Sequence, residues 1–144
     1  MEELISLKRL FEAYLDEVDE VMRRRKPADG ILGFGNAPQN DPCHERFDRA
    51  VEAQVQRLLD AAPDAAAAEE AVGFLLRDEA LSRRAECARW MLIAVQRHVL
   101  ALIPLLSAES AGALLRQYTA RYPWTKRFPT QKQVIDALKR QARA

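Results

Sequence analysis

The run Asp41-Pro42-Cys43-His44-Glu45 holds the densest set of side chains in the chain that could do chemistry. A cysteine in the first turn of a helix has its thiolate stabilised by the positive end of the helix dipole, one route to a nucleophile. His44 beside it is the residue type that takes a proton from a thiol. Neighbours on a helix point about 100° apart, however, so adjacency alone gives the pair no shared hydrogen bond. No further acid–base group is marked out by spacing. The favoured reading is that Asp41 caps a helix, Cys43 packs, and His44 bonds to the helix start or to solvent, with no catalytic residue assigned.

The connection that leads into this run, KPADGILGFGNAPQN from Lys26 to Asn40, is the most unusual segment. It holds three of the five glycines, Gly30, Gly33 and Gly35, together with Ile31, Leu32 and Phe34. One reading is a ligand site at the loop–helix junction, residues 30–45, built from Phe34, Asp41, Cys43 and His44. Backbone N–H groups at the start of the second helix would then face the ligand. The other is an ordered loop over 26–41 whose apolar residues plug a helical bundle. The segment lacks the GKS or GKT of a phosphate cradle and the strand–GxGxxG–helix order of dinucleotide binders.

At the other end, RQYTARYPWTKRFPTQKQ from Arg116 to Gln133 interleaves cations with aromatics. Arg121, Tyr122, Trp124, Lys126, Arg127 and Phe128 form the candidate interaction surface. Tyr, Trp and Arg dominate protein–protein hot spots. The same mixture suits single-stranded nucleic acid, where bases stack on aromatics and cations track phosphates. The whole-chain pI of about 7.8 is low for a dedicated nucleic-acid binder, so a protein partner or self-association is preferred. On the first helix Glu12, Asp16 and Glu20 fall four apart beside Asp19. That acidic stripe is either a solvated face or a dock for something basic, the chain's own C-terminal end included.

Metal binding finds no support in the spacing. The histidines are His44 and His98 and the cysteines Cys43 and Cys87. No C-x-x-C, H-x-x-x-H or E-x-x-H joins them, and no metal or other cofactor is expected.

These residues must be held by helices. Of 144 residues, 49% are hydrophobic and 30% charged, with five Gly and seven Pro, and the apolar share is mostly Ala and Leu. Disordered and collagen-like classes are thereby excluded. The net charge of +1 hides a polarity. Residues 116–144 carry eight Lys or Arg against Asp136 alone, a net +7, and the other 115 carry 14 bases and 20 acids, a net −6. Met1-Glu2-Glu3 is acidic where a signal peptide is basic, and the apolar run from Trp90 to Leu106 is interrupted by Gln96, Arg97 and His98. Neither secretion nor a membrane span is expected, and two unpatterned cysteines fit a reducing cytoplasm.

Apolar residues recur at steps of three and four over 2–25, 42–62, 64–76, 81–103, 107–122 and 130–142. Asp41 with Pro42, Asp64, Ser107, and Thr130 with Gln133 supply helix starts, and Pro27, Pro63, Pro104 and Pro123 the stops. The pattern predicts one all-α domain over 1–144, an irregular bundle of five or six helices. The helix at about 81–103, apolar on most sides, should stand at its centre. The expected role is a small intracellular, non-enzymatic protein-interaction module. The alternatives are a small enzyme or ligand-binding domain at the loop–helix junction, and nucleic-acid binding by the basic, aromatic end.

Overall fold

In a computed structural model the chain is all-helical, and the description covers residues 1–24, 40–77, 88–123 and 127–144. The elements are α1 (Glu2–Arg24), α2 (Pro42–Asp60), α3 (Ala65–Leu76), α4 (Arg89–Ala94), α5 (Ala108–Arg121) and α6 (Pro129–Ala142). Two 3₁₀ segments, Val95–Ala101 and Ile103–Leu105, follow α4. No strand occurs among the described residues. The predicted irregular helical bundle is therefore the architecture found.

Helices α1 and α2 pack antiparallel. Gln54 Nε2 donates to the Glu3 carbonyl at 2.9 Å near one end, and Arg46 pairs with Glu17 nearer the other. Leu4, Leu7, Phe11, Tyr14, Leu15 and Val18 form the buried face of α1. They meet Phe47, Val51, Val55 and Leu58 of α2 in one core cluster. Phe11 stands edge-on to Phe47 and Phe74, each 4.9 Å away, and Tyr14 stacks on Phe47 at 3.9 Å. On the far side, α5 and α6 make a second antiparallel pair. Gln141 Nε2 near the end of α6 donates to the Leu106 carbonyl, ahead of α5, at 2.7 Å. The segment after α4 runs between the pairs and packs against α2, α3 and α6.

Three expectations are corrected. Within the described part of 81–103, an α-helix spans only Arg89–Ala94, after which the chain tightens to 3₁₀ turns; residues 81–87 lie outside the description. A 3₁₀ helix eclipses side chains three apart, and Gln96, Val99 and Leu102 are all fully buried in that step. Arg97 Nη1 donates to the Ala94 carbonyl at 3.0 Å and so competes with the α-helical ladder there. Nor is the expected apolar surface fully buried. Trp90 is 46% exposed and Ala101 is exposed, although both belong to the expected apolar surface. The segment is central, but not apolar all round.

The last helix begins two residues earlier than the Thr130 cap predicts. Phe128 takes the N-cap position, Pro129 the first helical one, and the Phe128 N–H donates to Gln131 Oε1 at 3.0 Å. Proline's missing N–H and fixed φ suit the first turn, and that preference outweighs the Thr–Gln signature.

Finally, α2 stops at Asp60, so Ala62 is an exposed linker residue, outside the helical face expected to contain it. Its φ of 51° lies in the left-handed region that glycine occupies without strain. Ala62→Gly is therefore expected to raise stability by about 0.5–1 kcal/mol in urea unfolding. A loss of stability would contradict this account of the turn.

Candidate functional site

At the start of α2, Asp41 caps and Cys43 packs as expected, whereas the His44 ring, expected at the helix start or in solvent, is buried against Tyr14 of α1. Asp41 has extended backbone and its carboxylate accepts from the Cys43 N–H at 2.9 Å. That backbone hydrogen bond holds the Asp41 carboxyl below its ordinary range. Cys43 points into the core, 1% exposed, and burial raises its thiol pKa to about 12, with the Asp41 hydrogen bond adding to the rise. The helix dipole is outweighed here by desolvation, and near neutral pH the residue is a thiol. His44 is 5% exposed, with Nδ1 2.7 Å from the Tyr14 hydroxyl and its ring 5.1 Å from Trp90. Phe34 lies outside the described residues. Site-resolved mass spectrometry after iodoacetamide treatment at neutral pH should find native Cys43 unmodified and the urea-unfolded residue alkylated. Rapid native labelling would overturn this description of the thiol.

A constellation that spacing does not flag lies where α2 faces the 3₁₀ segment. Asp48 accepts from Arg97 Nη2 at 2.5 Å and from His98 Nε2 at 2.7 Å, tying elements about fifty residues apart in sequence. Burial raises the Asp48 pKa, but the two hydrogen bonds and the charges behind them outweigh it, and the net shift is downward. The His98 side chain is 10% exposed and that of Asp48 22%. Beside them is a shallow hollow of about 250 Å³ whose lining includes Glu52, Val55, Gln56, Leu59, Arg97 and His98. A histidine oriented by a carboxylate is half of an acid–base device. Its Nε2 is occupied by that carboxylate, and no Cys, Ser or Thr is among the residues lining the hollow, where Glu52 and Arg97 are the other charged groups.

A wider cleft of about 440 Å³ opens between α1, α3 and α5 over Gly73, Phe74 and Leu114. The ion pair of Lys8 with Glu70, 2.9 Å long, lies at its edge, and Lys8 holds the Glu70 carboxyl low. Asp41, Cys43 and His44 line neither hollow. Among the described residues no group of three His, Cys, Asp or Glu could hold a metal ion, and no helix is long and apolar enough to cross a membrane.

The C-terminal candidates separate. Arg121 Nη1 donates to the Leu76 carbonyl at the end of α3, at 2.8 Å, and Arg127 Nε donates to the Tyr122 carbonyl at 3.1 Å. Tyr122 is fully buried and its hydroxyl accepts from Gln96 Nε2 at 3.3 Å; Tyr118 donates to Gln96 Oε1 at 2.7 Å. Phe128 alone of the described candidates stands well exposed, at 58%. Trp124 and Lys126 lie outside the description.

Besides Arg116 on α5, exposed cations of the basic end lie farther along, on α6 and at its C-cap. Lys132, Lys139, Arg140 and Arg143 are exposed and fall within an arc of about 100°, opposite buried Val134 and Leu138. None of the four forms an ion pair among the described residues. Their seven- and four-residue spacing was the available signal, masked by the aromatic run before it. On α1, Glu17 pairs with Arg46, and Glu20 with Arg23 and Arg24. No ion pair joins α1 to α6 among the described residues, so the C-terminal helix does not cover the acidic stripe through such contacts.

Comparisons with protein-family models, with curated proteins and with solved structures found no match for this chain. Its class is that of the fold just described, an irregular all-helical bundle.

Proposed function

We propose that the chain is a non-enzymatic helical module that binds another protein. The observation that carries this reading is the exposed, cationic face formed by Lys132, Lys139 and Arg140 of α6 with Arg143 at its C-cap, none of which has an ion-pair partner among the described residues. Among the described residues, four groups that could instead support chemistry have structural duties. Asp41 caps α2, Cys43 is a buried thiol, His44 is held against Tyr14, and His98 is clasped by Asp48. A charged face of one sign speeds encounter with an oppositely charged partner and sets its orientation. The buried tyrosines favour protein over single-stranded nucleic acid, since Tyr118 and Tyr122 offer no ring face to a base.

Affinity capture with the purified chain, followed by reconstitution from purified components and light scattering, tests this reading. A protein that re-forms a complex of fixed stoichiometry supports it. A strict monomer that recovers no reconstitutable partner overturns it.

A further inference from the structure

We propose that the exposed face of α6 docks an acidic helical segment of its partner, recognised by Lys132, Lys139, Arg140 and Arg143. The inference rests on the reading of the chain as a protein-binding module and specifies the partner's chemistry. Lys132, Lys139 and Arg143 follow one another at steps of seven and four, so they form a row about 16 Å long, with Arg140 flanking it. A partner helix with carboxylates at the same steps sets an acid against each cation, as flanking charges do between paired helices. Asp136, the one acid on this face, interrupts the row and selects a neutral or basic residue opposite it. Phe128, more than half exposed at the N-cap of α6, offers an apolar contact near that end of the helix. Asp136 also separates this face from a nucleic-acid groove, because a continuous phosphate backbone would have to pass it.

Fluorescence anisotropy with a labelled synthetic helix of about 20 residues tests the proposal, the length being what a stable helical probe needs. The probe carries glutamates at the matching steps and a lysine facing Asp136. Its comparators are the same peptide with glutamine for glutamate and a short DNA duplex. The acidic peptide should bind, weaken as salt is raised, and bind at least about 10-fold tighter than its glutamine form. Combined Lys132→Glu, Lys139→Glu and Arg140→Glu substitution should weaken it at least about 100-fold. The neutral set Lys132→Gln, Lys139→Gln and Arg143→Gln, which keeps acids away from the helix C-terminus, should weaken it about 10-fold with circular dichroism unchanged. Failure of the acidic peptide to bind at low salt, or binding indifferent to the neutral set, overturns the docking surface and leaves the broader reading to its own capture experiment. Tighter binding of the duplex than of the peptide overturns both.

Discussion

Gln96→Leu should destabilise the bundle by about 2–4 kcal/mol, because two buried hydroxyls lose an amide that leucine cannot replace. Gln96 is fully buried, accepts from the Tyr118 hydroxyl at 2.7 Å and donates to the Tyr122 hydroxyl at 3.3 Å. It thereby ties the 3₁₀ segment to the end of α5. The expected fall in melting temperature is roughly 10 °C for a chain of this size. Tyr118→Phe should cost about 1–2 kcal/mol, since it removes one of the two bonds. The double variant should cost less than the sum, because the two residues share a hydrogen bond. A cost below about 1 kcal/mol for Gln96→Leu would mean that this network contributes little to holding the centre together.

Asp48→Ala should be the second most damaging polar change, at about 2–3 kcal/mol, since it leaves Arg97 and the mostly buried His98 without their carboxylate. Asp48→Asn should cost less, and its cost should depend on pH. The carboxyl is held below its ordinary value of about 3.9, so its contribution is fully present above that value and is lost as pH falls through the lower folded-state value. Urea midpoints of the wild type and Asp48→Asn should therefore differ by a constant amount near neutrality and converge progressively below about pH 4. Taking the difference removes the parallel contributions of Asp41 and Glu70, whose carboxyls are also held low. A gap that stays constant down to acid unfolding would contradict the clasp.

The helices were legible where local rules act alone. Asp41, Asp64 and Ser107 cap as their types and positions predict, and the apolar steps of α1, α2 and α3 are their buried faces. Legibility failed where distant elements compete with local ones. Residues 95–101 read as α-helix by their apolar period, but Gln96, Arg97 and His98 bond to Tyr118, Tyr122 and Asp48, and the segment tightens. The candidate site was readable in part. Asp41 and Cys43 sit at the first turn of α2, yet whether such a cysteine is a thiolate depends on burial, which is set by packing from other helices. At the basic end, residue type drew attention to Tyr122 and Arg121, whereas the structure uses them internally. Lys132, Lys139, Arg140 and Arg143, which carry no aromatic signature, are exposed instead.

On the proposed function, α6 docks a protein and the start of α2 performs no chemistry. The most direct measurement is an amide hydrogen-exchange footprint of the chain, alone and in complex with the protein it captures. The account predicts added protection along Pro129–Ala142 and unchanged exchange around Asp41, Cys43 and His44. A footprint centred on those three residues, with α6 unaffected, would contradict it.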